Sequence, residues 1–329
     1  MDDDRPRRPI PAPVEHPEVP AGRPRPVHTG PRDPGDAWAY GPDGQKAWGA
    51  FGAAGLLVDD GAGRVLLQHR VEWSHFGGTW GTPGGARHEG EDAVAGALRE
   101  SFEEAGVPGE ALRLRHTAVL DLGFWTYTTV VARAATPFEP SIGDRESLSL
   151  GWVDVDAIDD LPLHPGFAAS WPALRDALRT APHVVVDAAN VVGSVPDGWW
   201  KDRAGAAAAL VDRVAALAGI GLPGADLELP FATWWPGWTV VLEGEARAAA
   251  PATVGDTAGG AATDVVRVVR AAGAGDDAIV DAVAAAAAGG AAPVLVVTAD
   301  RELRRRVEGL GAIVRGPSWL RGRLPSRGA

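Results

Sequence analysis

Cysteine is absent from this chain of 329 residues. Its absence excludes disulfide frameworks, cysteine-ligated zinc, iron–sulfur clusters and thiol nucleophiles. Any metal must therefore bind oxygen or histidine ligands. The chain also lacks a long apolar run, because Gly289, Gly290 and Pro293 interrupt the longest uncharged stretch. The amino-terminal residues have no apolar core of the kind that a signal peptide needs. We therefore expect a soluble, cytoplasmic protein with no membrane partner.

Lysine is scarce as well, with two residues beside 29 arginines, and the net charge is −12. Together with the abundant alanine and glycine, this is typical of GC-rich coding, so the number of arginines carries little functional weight. A protein this acidic is not a general nucleic-acid coat, because neutralising phosphates requires a basic surface. The exception is the carboxy-terminal end, which holds eight arginines from Arg301 onward. A solvated helix face with a frayed terminus is favoured there over a polyanion contact.

Composition divides the chain into three segments. Residues 1–45 contain eleven prolines and no apolar periodicity, so they are predicted to form a disordered Pro-rich tail. Residues 46–180 and 181–329 each have the length and apolar content of a folded domain.

The first folded segment carries a strand, turn and strand pattern, then a glycine-rich loop and a helix. Apolar runs at residues 48–58 and 64–70 flank a turn-forming cluster at residues 59–63. After the loop, apolar residues recur at helical spacing until Gly106 ends the helix. The residues predicted to face the core are Val94, Ala97, Leu98, Ser101, Phe102 and Ala105.

Three glutamates fall on one sector of this helix, opposite the predicted core residues. Glu100, Glu103 and Glu104 are neighbours because they are spaced by three and four residues. Their mutual repulsion disappears if they hold a hard divalent cation such as Mg²⁺, which prefers oxygen ligands. A solvated acidic helix face is the alternative, and the preceding glycine loop favours the metal site.

The helix and its loop resemble the Nudix box, whose pattern is G-x5-E-x7-R-E-U-x-E-E-x-G-U. One position departs from it, since Ser101 stands where an aliphatic residue is usual. The resemblance covers roughly residues 48–179 and implies a Nudix α/β/α sandwich with a mixed sheet. The matching residues are Gly85, Glu91, Arg99, Glu100, Glu103, Glu104, Gly106 and Val107, and Ala105 stands at a position that the pattern leaves open.

By this resemblance, the first domain hydrolyses the pyrophosphate bond of a nucleoside diphosphate-linked substrate, for example an oxidised or non-standard nucleoside triphosphate. The three box glutamates, Glu100, Glu103 and Glu104, are expected to hold Mg²⁺ or Mn²⁺. Glu91 is expected to pair with Arg99 and lock the loop onto the helix, while Gly85 supplies the backbone conformation of the loop. The general base is either a box glutamate or Glu146, and a solvated loop position is equally open for Glu146. Candidates for stacking on the base are Trp73, Trp80, Phe124, Trp125 and Tyr127.

In the second folded segment, predicted strands alternate with predicted helices, which indicates a doubly wound sheet. Strands are predicted at residues 183–187, 238–242, 294–297 and 312–315, and residues 265–269 are either a strand or the end of a helix. Helices are predicted at residues 202–218, 276–288 and 300–310. Ligands of such sheets bind beyond the carboxyl ends of the strands, where Asp187 and Asp300 lie.

The acidic motifs of this segment resemble the PIN and NYN nuclease families, which implies a Rossmann-like doubly wound PIN-type domain. The resemblance makes Asp187, Asp277 and Asp300 metal ligands, with Asn190 adjacent and Asp276 or Glu243 as a fourth ligand. The alternative is that these acids cap helices. The domain is then either an RNA-cleaving enzyme or a catalytically silent RNA-binding or assembly module that directs the Nudix domain to capped or damaged RNA.

Overall fold

The computed structural model describes residues 33–196, 198–252 and 266–326. The chain divides into two compact units, the first ending at Leu178 and the second beginning at Arg179. This division lies two residues before the boundary predicted between residues 180 and 181.

The predicted tail, residues 1–45, lies mostly outside the described residues. The prediction of disorder does not hold at its end, because Trp38–Tyr40 form a strand paired with Lys46–Trp48. The ring of Trp38 packs edge-on against Trp48 with centroids 5.3 Å apart, and the Lys46 ammonium lies 4.7 Å from the centre of the Trp38 ring. These local aromatic contacts order a short hairpin despite the surrounding prolines and charges.

The described part of the first unit, from residue 33 onward, combines a mixed sheet with two α-helices. Its strands are β1 (Trp38–Tyr40), β2 (Lys46–Trp48), β3 (Ala53–Asp59), β4 (Arg64–Arg70), β5 (Trp80–Gly81), β6 (Gly84–Ala86), β7 (Leu112–Asp121), β8 (Thr126–Ala134) and β9 (Ser147–Asp154). Its helices are α1 (Ala93–Ala105) and α2 (Pro165–Ala177).

The main sheet of this unit has the order β7-β8-β3-β4-β5, with β6 paired to β3 and β9 paired to β4. Strands β3 and β8 are parallel, whereas β6, β4 and β9 join antiparallel to their neighbours. All seven residues of β3 are buried, so both faces of the sheet are covered. The sheet places the short strand β6, which leads into α1, directly beside β3.

Helix α1 packs on the sheet through a narrower stripe than the periodicity predicts. Ala97, Ser101 and Ala105 are buried as expected. Phe102 was predicted to face the core, and this is wrong, because its side chain is 64% exposed. Glu104 was predicted on the polar sector, but it is only 7% exposed. The helix is therefore rotated so that one glutamate of the acidic sector points inward.

The second unit is built on a parallel sheet. Its strands are β10 (His183–Asp187), β11 (Leu222–Pro223), β12 (Thr233–Trp234), β13 (Gly237–Leu242), β14 (Val266–Arg270), β15 (Val294–Val297) and β16 (Ile313–Arg315). Its helices are α3 (Ala188–Gly193), α4 (Arg203–Ile220), α5 (Gly275–Ala288), α6 (Arg301–Glu308) and α7 (Pro317–Arg321).

The five longer strands have the order β14-β13-β10-β15-β16, and every neighbouring pair is parallel. Residues 265–269 were predicted to be either a strand or the end of a helix, and Val266–Arg270 form a strand, β14. From β10 the chain moves through α4 to β13, and from β14 it returns through α5 to β15 on the other side of β10. Because such crossovers are right-handed, α4 and α5 cover opposite faces of the sheet. The strand order reverses between β10 and β15, which is where open parallel sheets bind ligands.

One core of the second unit lies under α5 and α6. Val185, Val241 and Val296 from three adjacent strands pack with Ile279 of α5 and Leu303 of α6. No described helix of the chain combines the length and the apolar composition needed to cross a bilayer.

Candidate functional site

Helix α1 has a defined start and end. Asp92 is its N-cap, and the Asp92 Oδ1 atom accepts hydrogen bonds from the backbone N–H groups of Val94 and Ala95, both at 2.9 Å. Gly106 ends the helix in the left-handed conformation at φ 63°. These two ends fix where the glutamates of the helix lie relative to the sheet.

Arg99 ties the loop that precedes α1 to the helix. Its Nε and Nη2 atoms donate to the two carboxylate oxygens of Glu91, each at 2.9 Å, and Nη2 also donates to the carbonyl oxygen of Ala86 at 3.0 Å. Its Nη1 atom donates to Glu100 at 2.7 Å. The paired hydrogen bonds with Arg99 hold the pKa of Glu91 at about 2, even though partial burial acts in the opposite direction.

Gly85 leaves room for a carboxylate rather than supplying an unusual backbone angle. A Cβ atom on Gly85 would lie 2.5 Å from Oε2 of Glu100. Its φ is not in the left-handed region; Gly84, the residue before it, has φ 155°. The role expected for Gly85, a special loop conformation, is therefore replaced by a steric one.

Glu104 is the buried acid of the helix. Its Oε2 atom accepts a hydrogen bond from the backbone N–H of Gly84 at 2.8 Å, and Gln68 Nε2 lies at 3.4 Å. Burial raises the pKa of Glu104 well above its usual value; the charges of Asp144 and Glu100 add to this, and the Gly84 hydrogen bond opposes it. A cation beside this carboxylate would stabilise its ionised form.

Glu104 shares a small volume with two acids from the segment before β9. One oxygen from each of Glu104, Asp144 and Glu146 lies within 4.8 Å of the others. Asp144 Oδ1 accepts from Ser147 Oγ at 3.2 Å, and Ser147 Oγ in turn accepts from Gln68 Nε2 at 2.7 Å. The structure therefore places Glu146 beside Glu104 of the box, together with Asp144.

Glu100 and Glu103 lie outside this group of three. Glu100 is engaged by Arg99, and the Glu103 side chain is 58% exposed with a longer contact of 3.5 Å to Arg99. The structure therefore does not gather the three box glutamates around one point, although all three stand on the same two turns of α1.

Arg70, at the end of β4, is a half-buried cation beside the acids. Its Nε atom is buried and has no hydrogen-bond partner among the described residues. Its charge lowers the pKa values of Glu104 and Asp144, and it also acts on His164. A guanidinium in this position can bind an anionic ligand while a metal cation bridges that ligand and the acids.

The comparisons with known proteins match the unit that carries this site. The sequence model of the NUDIX domain matches residues 50–176. The chain is 50% identical over 161 residues to a putative 8-oxo-dGTP diphosphatase 3 of Mycobacterium tuberculosis, covering 46% of this chain and 74% of that relative. The chain belongs to the Nudix family. Its first unit is a Nudix hydrolase domain.

Two further relatives show the same likeness. A nucleoside triphosphate pyrophosphatase/Nudix hydrolase fusion protein of Bifidobacterium longum is 41% identical over 159 residues, which cover 45% of this chain and 33% of that protein. The crystal structure of a Nudix hydrolase from M. smegmatis, RenU, is 48% identical and covers 44% of this chain and 95% of that one, with a TM-score of 0.41.

Nudix hydrolases generally use divalent metals, and the acids here fit that requirement. The donors of Glu104, Asp144 and Glu146 are all carboxylate oxygens, and Glu146 is open to solvent. Mg²⁺ and Mn²⁺ prefer oxygen ligands and retain bound waters, so a partly exposed set of this kind suits them.

Most of the aromatic candidates for nucleobase stacking in the Nudix domain already have partners. Trp80 is buried and stacks on His69 at 4.7 Å. The Trp125 indole N–H donates to the carbonyl oxygen of Gly49 at 3.0 Å, and the Tyr127 hydroxyl lies 3.4 Å from Thr82 Oγ1.

In the second unit, four of the predicted acids line one cleft at the carboxyl edge of the parallel sheet. Among the described residues, no three of them place one oxygen each within 4.8 Å of the others, in contrast to the acids of the first unit. An open cleft of about 720 Å³ is lined by Asp187, Asn190, Glu243, Asp276 and Asp300. Burial raises the pKa of Asp187, and the charges of Glu243 and Asp276 raise it further. The pKa of Asp276 is raised by burial and then by Asp300.

Hydrogen bonds hold these groups in place. Thr298 Oγ1 donates to Asp187 Oδ2 at 2.8 Å and accepts from the backbone N–H of Asp300 at 3.1 Å. Asn190 Oδ1 accepts from the backbone N–H of Ala299 at 2.9 Å. The ends of β10 and β15 are therefore joined through side chains.

The capping alternative applies to some of these acids. Asp187 caps α3, and Asp300 caps α6 through the backbone N–H groups of Glu302 and Leu303, both at 2.8 Å. Asp276 does not cap α5; the first N–H of that helix, from Gly275, is accepted by Glu243 Oε2 at 2.9 Å.

Asp277 does not line the cleft, which corrects its assignment as a metal ligand. It accepts a hydrogen bond from Arg306 Nη2 at 2.6 Å, and its side chain is 71% exposed. Successive residues of a helix point about 100° apart, so Asp276 and Asp277 do not face the same side. Asp276 lines the cleft in place of Asp277.

Four residues at these sites were missed by sequence reasoning, although three carried a signal. Gln68 and Thr298 are polar residues directly after apolar strand runs and are fully buried. Asp144 stands two residues before Glu146 and was overlooked beside it. Arg70 had no visible signal, because arginine is common throughout the chain.

Proposed function

We propose that the Nudix domain hydrolyses the pyrophosphate bond of an oxidised or non-standard nucleoside triphosphate, with 8-oxo-dGTP as the first candidate, and that it requires Mg²⁺ or Mn²⁺. The observation that carries this proposal is the group of Glu104, Asp144 and Glu146 with Arg70 beside it. The likeness to the 8-oxo-dGTP diphosphatase of M. tuberculosis supports this substrate class.

The residues divide the chemistry between them. A bound divalent cation neutralises phosphate charge and lowers the pKa of its bound water. Glu104, Asp144 and Glu146 would hold the cation, with Glu100 and Glu103 on the same helix as further candidates. Arg70 would bind a phosphate oxygen.

During the reaction the water oxygen bonds to phosphorus and the bridging P–O bond breaks, while a carboxylate accepts the water proton. The acceptor is a box glutamate or, if Glu146 does not hold the cation, the exposed carboxylate of Glu146.

The experiment is a panel of substrates assayed with the full chain in Mg²⁺ and in Mn²⁺. It includes 8-oxo-dGTP, dGTP, ADP-ribose, diadenosine polyphosphates and capped RNA. We expect the highest kcat/KM for 8-oxo-dGTP and no turnover in EDTA. A higher kcat/KM for ADP-ribose or a dinucleoside polyphosphate would contradict the substrate class, and turnover in EDTA would contradict the metal requirement.

For the second unit, we infer a PIN-like domain that cleaves RNA with a divalent metal. The observation that favours this function is the convergence of Asp187, Glu243, Asp276 and Asp300 on one cleft at the reversal point of the strand order. Their carboxylate oxygens suit Mg²⁺ or Mn²⁺. The alternative is a silent RNA-binding or assembly module. A cytoplasmic location belongs to the same proposal.

The two alternatives differ in one assay. Single-stranded RNA is incubated with the full chain and Mn²⁺, with Asp187→Asn as the variant and Glu302→Gln, an exposed acid of α6, as the control. Cleavage that Asp187→Asn abolishes and Glu302→Gln leaves unchanged is expected for the nuclease. RNA that stays intact while bound would establish the silent module instead.

A further inference from the structure

The cleft of the second unit is lined by two chemically different groups. One group is the acids Asp187, Glu243, Asp276 and Asp300, and the other is Ser194, Ser318 and Arg321. Asp187 caps the start of α3 and Ser194 caps its end, so these two residues mark an acidic end and a second end of the cleft along that helix. Of the described residues that line the cleft, Arg321 alone carries a positive charge. The volume of about 720 Å³ far exceeds that of a metal ion and falls within the range of small-molecule and nucleotide sites.

Arg321 differs in its partners from three other arginines of the second unit. Arg306, Arg315 and Arg323 each form an ion pair with a carboxylate. Arg321 instead donates to the hydroxyl of Ser194, at a long 3.4 Å, and no described carboxylate lies within 4.0 Å of it. A guanidinium beside an acidic cleft with only a weak hydroxyl partner retains most of its donors for an anion.

The position of this end is fixed by the fold. Ser194 Oγ donates to the carbonyl oxygen of Val191 at 2.6 Å, which holds the hydroxyl at the end of α3. Leu320, the residue before Arg321, is fully buried, and α7 contacts both α3 and β15. The backbone that carries the hydroxyl and the guanidinium is therefore packed beside α3, which Asp187 caps, and β15, which precedes Asp300.

A ligand that fits both ends must carry a negative charge where it meets Arg321. At the acidic end it must also be able to bind a metal cation that the carboxylates hold. A chain of phosphodiesters has this pattern, since its charges recur at each nucleotide and its phosphates accept bidentate hydrogen bonds from arginine. We propose that Ser194, Ser318 and Arg321 form a phosphate-binding subsite that holds a single-stranded nucleic acid across the cleft, one or more nucleotides from the acidic end. This rests on the proposed function of the second unit.

The test is equilibrium binding by the full chain. A fluorescein-labelled single-stranded RNA octamer is titrated in Mg²⁺ and followed by fluorescence anisotropy at several salt concentrations, with its integrity checked on a gel. The variant is Arg321→Gln, and the control is Arg305→Gln, an exposed arginine of α6 that does not line the cleft. Thermal unfolding of each variant verifies that the second unit is folded.

We expect Arg321→Gln to weaken binding roughly tenfold, as for loss of a charged hydrogen bond. The slope of log K against log salt should become shallower by about 0.7, the value for one phosphate contact on a single strand. Arg305→Gln should change neither quantity. A set of octamers with one neutral methylphosphonate each should show one linkage whose neutralisation weakens the wild type but not Arg321→Gln.

The outcomes separate this subsite from the proposed function. Binding and salt slope that are equal in Arg321→Gln and the wild type would overturn the subsite, even if the RNA is cleaved. Tight binding with the expected slope change and no cleavage would support the subsite while removing the nuclease. Failure of the wild type to bind the octamer, or stronger binding of a free mononucleotide than of the octamer, would overturn the single-strand proposal.

Discussion

Replacing Glu91 by glutamine tests the link between the Nudix loop and its helix. The pKa of Glu91 falls from 4.5 to about 2, chiefly because Arg99 donates two hydrogen bonds to it. A difference of that size corresponds to about 3 kcal/mol in favour of the folded state. The two side chains are only 14% and 21% exposed, so solvent screens the pair weakly. Since glutamine keeps one acceptor, we expect Glu91→Gln to cost about 2–3 kcal/mol at pH 7.

The pH dependence has a definite sign. The pKa of Glu91 is lower in the folded than in the unfolded protein, so the stabilisation is present above about pH 4.5 and is lost as the pH falls toward 2. The difference between the variant and the wild type should therefore be full at pH 7 and fall to less than half at about pH 3.

Differential scanning calorimetry measures this effect on the transition of the first unit. For a unit of this size, the expected loss lowers Tm by roughly 4–12 °C at pH 7. Glu89→Gln is the matched control, because Glu89 is an exposed glutamate in the same loop. An unchanged Tm at pH 7, or a Tm difference that persists unchanged at acidic pH, would refute the reasoning.

Four further changes have defined outcomes. Glu104→Gln should lower kcat of the Nudix domain on the order of 10²-fold in steady-state assays, because it removes a charge from the acids proposed to hold the cation. Arg70→Gln should raise KM roughly tenfold with a smaller change in kcat, since a phosphate contact is lost. Gly85→Ala should shift the Mg²⁺ dependence of activity to higher concentration. The added Cβ would lie 2.5 Å from Glu100 Oε2, too close for contact, so the Glu100 carboxylate must move. Mn²⁺ should raise the Tm of the second unit in the wild type by relieving the repulsion between its acids, and Asp187→Asn should abolish that rise in the same calorimetric scans.

The sequence predicted the elements that carry local signals. Apolar residues at helical spacing from Val94 and the stop at Gly106 predicted a helix, and α1 runs from Ala93 to Ala105. The alternation of strands and helices predicted a doubly wound sheet, and the five longer strands of the second unit form a parallel sheet. What local spacing does not contain is the rotation of a helix against a sheet. This is why Phe102 was expected inside and Glu104 outside, and why Asp277 was preferred to Asp276.

The site residues that were missed depend on tertiary contacts. Asp144 becomes part of the Nudix site only because β9 pairs with β4 and brings its preceding segment to Glu104. Arg70 stands out because it is half-buried beside acids, and the amino-acid composition cannot reveal such a position. Sequence reasoning therefore locates the helix that bears the acids, while the partners of those acids come from distant parts of the chain.

The hydroxyl of Thr298 serves acids on two neighbouring strands at once. It donates to the carboxylate of Asp187 and accepts from the backbone N–H of Asp300, and it is fully buried. Strands β10 and β15 are already paired, so this uncharged side chain adds a link at the point where the ladder ends. Substitution by valine would keep the shape of the side chain and the strand pairing, but it would leave a carboxylate oxygen of Asp187 and the N–H of Asp300 without this shared partner.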